Sequence, residues 1–285
     1  MLYVTKADGR RQPFDRQKII RTCTRMGASQ EVAEKIANQI EKRAYTGIPT
    51  KKIIKLIFMY IEKYKPEFRH IIDLREAICL LRPKPDFELF VAELLRSHGF
   101  KVKTNQMLRG MCVEHEIDAI AERTIKDTKG RSVKEALCVE VKHHYKPHTY
   151  TSLGVFLEAW ATFEDLLDGY KAGKNKTPFS GLIVVSNTKL SDHAQDYAIC
   201  KKIMGIAWKT PLEHGLERMI EENKLYPITF LRGLDINHQA KLGDVGIVTL
   251  KQIVEMDESE IYRMTRIPKI KIRELKQKSR EILKK

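Results

Sequence analysis

The first eighty residues combine two short strand-like runs with four stretches of helical periodicity. In those stretches apolar residues recur every three or four positions, as one face of an amphipathic helix requires. The stretches cover residues 19–23, 32–40, 53–61 and 71–81. The strand-like runs flank Asp8-Gly9, a pair that favours a hairpin turn because both residues tolerate positive φ. The pattern therefore predicts a β-hairpin followed by a helical bundle.

The second block begins after Arg82-Pro-Lys-Pro85, whose two prolines predict the end of a helix and a linker. Helical spacing and strand-like alternation then follow in the order helix, three strands, helix, strand, helix, strand. These segments cover residues 87–95, 100–102, 114–121, 138–142, 153–167, 181–185, 192–204 and 206–208. Helices on both sides of a sheet would bury the apolar faces, so the block predicts an α/β/α layer arrangement.

The last block, from about Asp235, shows helical spacing interrupted by turns at residues 242–247 and 267–272. It predicts a small all-α unit that ends in a basic helix. The three blocks together predict a multidomain α+β and α/β protein. Its domains would comprise residues 1–84, 85–232 and 233–285.

Charge adds a class of partner to this picture. The chain has a net charge of +15 and a pI of about 9.5, which favours a polyanion, nucleic acid first. A lysine-rich, highly soluble surface is the alternative. The cysteine count of five is odd and shows no metal-ligand spacing, which suits a reducing cytoplasm. No leader or membrane-spanning run is apparent, so we expect a soluble cytoplasmic protein without membrane contact.

Two predicted strands carry the candidate chemistry. Glu140 and Lys142 lie two positions apart in one strand and therefore share a face. Asp118, in the neighbouring strand, would join them. Two carboxylates and a lysine at strand ends suit a hard divalent cation and a water beside it, which is chemistry for breaking a phosphodiester bond. Because such spacing is common by chance, two ordinary strands with solvated outer residues are the alternative.

The context of these strands resembles a known family. The segments are Phe87-Glu-Leu-Phe-Val-Ala-Glu-Leu-Leu, His98-Gly-Phe, Glu116-Ile-Asp118-Ala-Ile-Ala and Val139-Glu-Val-Lys142. They resemble the Mrr-like branch of the PD-(D/E)XK nucleases, which have the restriction-endonuclease fold, over about residues 87–208. The resemblance implies that Asp118, Glu140 and the carbonyl of Val141 hold Mg²⁺ or Mn²⁺. It also implies that Lys142 orients or deprotonates the attacking water, and that Glu88 reaches the metal directly or through water.

Two neighbouring features have open roles. His115 and Glu116 either tune the site or face solvent, and we favour solvent because the sequence offers neither a partner. The loop at residues 143–150 contains three histidines and two tyrosines directly after the second motif strand. It is either a DNA-contacting loop or an ordinary exposed one.

The N-terminal block also resembles a known family. Val4-Thr-Lys6-Ala-Asp8-Gly9-Arg-Arg-Gln12-Pro-Phe14-Asp15-Arg-Gln-Lys18-Ile19 and Tyr45-Thr-Gly-Ile-Pro-Thr50 resemble the ATP-cone, found on ribonucleotide reductases and their repressor. The resemblance implies an ATP or dATP ligand that is bound without hydrolysis and shifts quaternary state. A basic helical bundle without a ligand is the alternative.

The same resemblance assigns roles to seven residues. Lys6 and Lys18 would neutralise the triphosphate. Ala7 stands where the family usually has arginine, so Arg10 or Arg11 would have to replace that cation. The remaining three, which would hydrogen-bond the ribose, base or phosphate, are Gln12, Asp15 and Thr50.

Residues 242–285 resemble a helix-hairpin-helix unit of nucleic-acid enzymes. Lysines stand where such hairpins usually have glycines, so contacts to DNA would be electrostatic rather than through backbone amides. The cations concerned are Lys269, Lys271, Arg273 and Lys276. A protein-docking module is the alternative.

These features together predict a metal-dependent endonuclease that cleaves duplex or branched DNA. ATP or dATP in the N-terminal domain would regulate its activity or its oligomerisation. Cutting two strands requires two sites, so we expect a homo-oligomer, a dimer or larger. The alternatives are a catalytically inactive, nucleotide-responsive DNA-binding regulator and a nuclease acting on RNA.

Overall fold

The computed structural model describes residues 2–7, 9–26, 28–126 and 130–284. Their contacts form two compact units. The first comprises Met1–Ile72, Leu231–Gly233 and Gln277–Lys285; the second comprises Asp73–Phe230 and Leu234–Lys276. Compact units need not coincide with domains, so the division at residues 84 and 232 stays a prediction.

The first unit contains a small sheet and helices, as predicted. Its strands are β1 (Tyr3–Thr5), β2 (Arg11–Pro13) and β3 (Ile48–Pro49), and its helices are α1 (Arg16–Arg25), α2 (Gln30–Glu41) and α3 (Thr50–Ile61). Strand β1 pairs antiparallel with β2 and parallel with β3. Gly9 has a φ of +81°, as a tight turn requires, whereas Asp8 lies outside the described residues. Strand β3 was missed because two residues show no periodicity.

The second unit is built on a five-stranded mixed sheet. In chain order its elements are α4 (Leu74–Cys79), α5 (Glu88–Ser97), β4 (Lys101–Arg109), β5 (Glu114–Lys126), β6 (Ser132–Lys142), β7 (Tyr150–Thr151), α6 (Leu153–Lys171), β8 (Gly181–Ser186), β9 (Lys189–Leu190), α7 (Asp192–Lys201), β10 (Met204–Ile206) and α8 (Leu216–Glu222). The strand order is β10-β8-β6-β5-β4. Pairing is antiparallel from β4 to β6 and parallel from β6 to β10.

Helices cover both faces of this sheet. Phe87 and Phe90 of the α5 region pack with Val139 in one buried cluster. Phe156 of α6 packs with Cys138 in a second cluster. Because successive side chains of β6 point to opposite faces, the two clusters lie on opposite sides, which gives the expected α/β/α layers.

Several boundaries in this unit differ from the predicted ones. Strands β4, β5 and β6 are longer than the predicted strands at residues 100–102, 114–121 and 138–142, and helix α8 was not predicted. The end of α7 has an identifiable cause. Helix α7 ends at Lys201 rather than at Met204, and Met204 begins strand β10. The cause is Lys202, whose φ of +57° and ψ of +34° are left-handed and stop the helix. Glycine or asparagine normally marks such a position, so a lysine there left no signal in the sequence.

The C-terminal part of the second unit is helical. Its elements are α9 (Ile236–Asp244), α10 (Leu250–Glu255), α11 (Glu258–Thr265) and α12 (Lys269–Leu283), the last of which extends beyond the unit. Both predicted turns are shorter than expected, since α9 extends to Asp244 and α12 begins at Lys269. A core that includes Ile253, Ile261 and Ile267 holds the helices together.

The four cations proposed for DNA contact in this region already have partners. Lys271 pairs with Glu274 at 2.9 Å, and Arg273 pairs with Glu258 at 2.9 Å. Lys276 is buried and donates to the carbonyl of Met256, and Lys269 lies 5.8 Å from the centre of the Tyr262 ring. These contacts reduce the number of cations that this region offers to a phosphate backbone.

The segment predicted as a linker is anchored within the second unit. The Arg82 guanidinium donates to the carboxylate of Asp86 at 2.7 and 3.0 Å, and Asp86 is fully buried. The same guanidinium reaches Asp244 at 2.9 Å. A linker was expected from the prolines, but these ion pairs hold the backbone in place.

We expect Asp86→Ala to lower the free energy of unfolding by about 3 kcal/mol, because it removes one partner of a buried ion pair. Asp244→Ala is the matched control, since that side chain is 60% exposed and pairs with the same guanidinium. It should cost less than about 1 kcal/mol, as exposed pairs do. Urea unfolding followed by circular dichroism measures both, and equal losses would contradict the prediction.

Candidate active site

The antiparallel register of β5 and β6 brings the two predicted carboxylates to neighbouring positions. Ala119 pairs with Val139, so Asp118 and Glu140 are the next residues on their strands. The Val141 amide donates to Oδ2 of Asp118 at 2.7 Å. Residues separated by twenty-two positions in the chain therefore meet at one end of the sheet.

Glu88 joins them from the first turn of α5. Its side chain is only 5% exposed, and its interaction with Asp118 raises the pKa of Glu88 and opposes the rise in the pKa of Asp118. The apolar residues around it, including Phe87 and Phe90, anchor the start of the helix in the core. The helix therefore holds the Glu88 carboxyl group against the sheet.

The pKa values of all three carboxyl groups are raised, which means that their charged forms are destabilised. Burial and the nearby Asp118 together raise the pKa of Glu88 to about 7, although Lys84 opposes the rise. Burial likewise raises the pKa of Glu140 to about 7, with added repulsion from Asp118 and Glu158. Burial also raises the pKa of Asp118, although the Val141 amide opposes the rise. A cation at this end of the sheet would be stabilised by all three.

Lys84 supplies a positive charge to this group, and sequence reasoning missed it. Its ammonium lies 2.8 Å from Oε1 of Glu116, 3.4 Å from Oε1 of Glu88 and 3.8 Å from Oδ1 of Asp118. The hydrogen bond to Glu116 is the largest cause of the raised pKa of Lys84. The available signal was its position four residues before Glu88, between two prolines that were assigned to a linker.

Lys142 lies at the exposed end of β6, one strand repeat beyond Glu140. Its charge lowers the pKa of Glu140, so the two side chains interact electrostatically. Four of the predicted site residues therefore lie at one end of the sheet and interact with at least one of the others, namely Glu88, Asp118, Glu140 and Lys142. Their catalytic roles stay a prediction.

The donor atoms are of the kind that binds a hard cation, but the side chains are not arranged around a common metal position. Carboxylate oxygens and a backbone carbonyl are the ligands that Mg²⁺ and Mn²⁺ prefer. Within the described ranges, no group of three or more His, Cys, Asp and Glu side chains is placed to hold a metal ion. Three carboxyl groups that burial and mutual repulsion destabilise in their charged form nevertheless fit such an ion chemically.

Glu116 faces solvent, as predicted, but it has a partner in Lys84, and His115 is only 18% exposed and also has a partner. His115 Nε2 lies 2.8 Å from Oδ2 of Asp165, which also accepts from the backbone amides of Cys112 and Val113. The His115 contact is the main reason that the pKa of Asp165 is lowered. Glu116 is bound to Lys84. Asp165 lies fifty residues from His115, so the chain order concealed the pair.

The histidines of the loop at residues 143–150 mainly stabilise local structure. His143 packs edge-on against Phe87 with ring centres 5.1 Å apart. His144 donates its amide to Asn187 at 2.8 Å, and His148 lies 3.1 Å from Arg75. These contacts favour a structural role for the histidines. The exposed side chains of Tyr145 and Tyr150 are the remaining candidates for contact with DNA.

The first unit contains a pocket of about 160 Å³ between the hairpin and the helices. Four of the seven residues implied by the ATP-cone resemblance line it, namely Gln12, Asp15, Lys18 and Thr50. Lys6, Arg10 and Arg11 are not among the described residues that line it. The pocket therefore offers one of the predicted cations to a phosphate group, from Lys18 at the start of α1.

Asp15 also has a structural role at this pocket. Its carboxylate caps α1 by accepting from the amides of Gln17 at 2.9 Å and Lys18 at 3.3 Å. It pairs with Arg21 at 3.4 Å. A ligand contact through Asp15 would therefore add to its capping role, which by itself accounts for an aspartate at this position.

The cysteines at positions 23, 79, 112, 138 and 200 are all free thiols. Along the described residues, no helix is both long and apolar enough to cross a membrane.

Fold and site together define the class of protein: a multidomain α+β protein with a pocket in its first unit and a buried carboxylate cluster in its second. The ATP cone domain family matches residues 2–76, which confirms that resemblance and indicates a nucleotide ligand. The family described as AF1548-like, C-terminal matches residues 226–283, the region where a helix-hairpin-helix unit was predicted.

Similar proteins extend this match to the middle of the chain. An uncharacterized protein of Archaeoglobus fulgidus is 36% identical over 171 residues, which are 60% of this chain and 87% of the relative. A second, from the same organism, is 56% identical over 46 residues, which are 16% of this chain and 96% of the relative. The chain therefore belongs to the same family as these archaeal proteins.

One solved structure supports the fold. The crystal structure of a protein of unknown function, AF1548, superimposes with a TM-score of 0.57 at 33% identity and covers 69% of this chain and 96% of that one. MspJI restriction endonuclease in complex with an oligonucleotide reaches a TM-score of 0.30 at 14% identity, over 69% of this chain and 42% of its own. A similarity of that size carries no argument about fold or activity.

Proposed function

We propose that this protein is a metal-dependent DNA endonuclease whose activity or assembly is regulated by ATP or dATP bound to the ATP cone. The observation that carries the proposal is the convergence of one buried and two partly buried carboxyl groups at one end of a mixed sheet. They are Glu88, Asp118 and Glu140. Buried carboxylates without full compensation are costly, and a divalent cation would offset that cost.

Each residue of the cluster has a role in this proposal. Asp118, Glu140 and the carbonyl of Val141 would hold Mg²⁺ or Mn²⁺, and Glu88 would bind it directly or through water. The bound ion would supply Lewis acidity and a water of lowered pKa. Lys142, at the exposed end of its strand, would orient that water or take up its proton and offset charge that develops on the phosphate.

The proposed substrate is duplex or branched DNA. A net charge of +15 favours a polyanion, because binding releases the counterions condensed on the phosphate backbone. Binding should therefore weaken steeply as salt concentration rises. Tyr145 and Tyr150, in the loop after the second motif strand, have exposed side chains and would contact bases or sugars.

Nucleotide control would act through the pocket of the first unit. The Lys18 ammonium would neutralise a phosphate group of ATP or dATP, while Gln12 and Thr50 would hydrogen-bond the ligand. A regulatory ligand must bind two states of the protein with different affinity. We propose that these states differ in oligomerisation, with a dimer or larger homo-oligomer as one of them.

The test of this function is cleavage of supercoiled plasmid and of a branched DNA by the full-length protein in Mg²⁺ or Mn²⁺. We expect cleavage by the wild type and none by Asp118→Ala, Glu140→Ala or Lys142→Ala. Glu135→Ala is a control on the same strand, since that carboxylate pairs with Arg123 at 2.6 Å outside the cluster. A structured RNA tests the alternative substrate.

Three outcomes would contradict the proposal. Cleavage that survives all three substitutions would show a different site or a contaminant. Nucleotide-dependent DNA retention without cleavage would favour a DNA-binding regulator that has lost catalysis. Cleavage of RNA alone would identify a ribonuclease.

A further inference from the structure

Lys84 is bound to the proposed metal ligands themselves. Its Nζ lies 3.4 Å from Glu88 and 3.8 Å from Asp118, both of which belong to the proposed ligand set. Glu88 is 5% exposed and Asp118 is 12% exposed, whereas Lys84 is 56% exposed. The ammonium therefore reaches into a buried pair of carboxyl groups from the solvent side.

Lys84 also pairs with a third carboxylate, Glu116, which lies outside the cluster. Glu116 accepts from Nζ at the shortest of the three distances, 2.8 Å, and its side chain is 56% exposed. An ammonium that withdrew from Glu88 and Asp118 would keep this partner and would gain water. Displacement of Lys84 therefore does not require a buried charge to lose all its contacts.

Two cations cannot be stabilised equally well by the same few oxygens. A divalent ion bound to Asp118 and Glu88 would lie within a few ångströms of the present position of Nζ, where like charges repel strongly at low effective dielectric. The donor oxygens that approach Lys84 would also have to turn toward the metal. The placement of Lys84 is thus consistent with the finding that no three side chains of the described chain are arranged around a metal position.

We propose that Lys84 and the divalent cation compete for Glu88 and Asp118, so that Lys84 sets the metal affinity of the site. Metal binding displaces the ammonium toward Glu116 and solvent. In the protein without bound metal, Lys84 acts as the counter-ion that stabilises the charged form of the partly buried carboxylates. This inference rests on the proposed function, since it requires that the cluster bind a metal.

The experiment is isothermal titration calorimetry of Mn²⁺ into the full-length protein in the absence of DNA. Wild type is compared with Lys84→Met, which keeps the length of the side chain and removes its charge, and with Lys84→Gln as a second uncharged variant. Lys134→Met is the matched control. Lys134 pairs with Glu122 at 3.2 Å and lies six residues from Glu140, about 20 Å along the strand.

We expect both Lys84 variants to bind Mn²⁺ about tenfold more tightly than wild type, a coupling of ordinary size for two interacting ligands. The control should change the affinity by less than about twofold, because its charge lies well beyond the screening length. Thermal melting provides a second readout. Without Mn²⁺ the Lys84 variants should melt below wild type, and Mn²⁺ should raise their melting temperature more than it raises that of wild type.

Equal or weaker Mn²⁺ binding by the Lys84 variants, with binding by wild type intact, would overturn the competition and leave the proposed function standing. Absence of Mn²⁺ binding from wild type and variants alike would overturn both. Loss of binding in Asp118→Ala identifies the titrated site as the cluster. Tighter binding in Lys134→Met by the same factor would show a general charge effect and would also overturn the inference.

Discussion

Asp118→Asn is expected to lower the rate of DNA cleavage by a factor on the order of 10²–10³, the usual loss when one preorganised charge-stabilising group is removed from an active site. Asp118 interacts with Glu88, Lys84 and the Val141 amide, and its charge raises the pKa of Glu140. Asparagine retains an oxygen that can accept from Val141, so the strand pairing should persist. Single-turnover cleavage with excess enzyme measures the rate of the chemical step.

The control for this prediction is Glu122→Gln, four residues along the same strand. Glu122 is 18% exposed and pairs with Lys103 and Lys134, away from the cluster. The Glu122→Gln substitution likewise replaces a carboxylate by an amide in a side chain of similar exposure. Cleavage by this variant should stay within about twofold of wild type. If both variants cleave at similar rates, Asp118 has no special role, provided that circular dichroism shows both folded.

Lys18→Ala is expected to weaken ATP and dATP binding by about 10- to 100-fold. A hydrogen bond to a charged group contributes about 1.5–3 kcal/mol, which corresponds to that range of affinity. Lys18 is the one lysine or arginine among the described residues that line the pocket. Calorimetric titration of each nucleotide into the full-length protein measures the change.

Lys42→Ala makes the same change of charge at an exposed position after α2, outside the pocket, and should leave the affinity unaltered. Nucleotide effects on cleavage or on oligomer mass should disappear in Lys18→Ala at concentrations that saturate wild type. Wild-type affinity in Lys18→Ala would place the nucleotide elsewhere. Failure of wild type to bind either nucleotide would refute the proposed regulation.

The local elements were largely predictable because their signals lie within a few residues. The buried run that forms β8 and the apolar stripe of α6 follow the expected periodicities, and both elements are present. Lys202 shows where such signals fail. Lysine is not a residue type that indicates a left-handed conformation, as glycine or asparagine would. The end of α7 and the start of β10 were therefore predicted at the wrong residues.

Part of the site was predictable for a different reason. Alternation along a strand places Glu140 and Lys142 on one face in any fold that keeps the strand. Their relation to Asp118 depends on the pairing of β5 with β6, which was predicted from the two strand patterns and which alternation within one strand does not determine. Lys84 was assigned to a linker because a sequence does not state which charges will meet across thirty-two residues.

By itself, the sequence determined most of the longer elements along the chain, its excess of positive charge and the residue types available for chemistry. The ATP cone was also recognisable, because its pattern is local. Only the tertiary structure decided which charges meet: Lys84 with Glu88 and Asp118, Arg82 with Asp86 and Asp244, and His115 with Asp165. Contacts between distant segments depend on register and packing, and those emerge only when all the apolar faces are buried together.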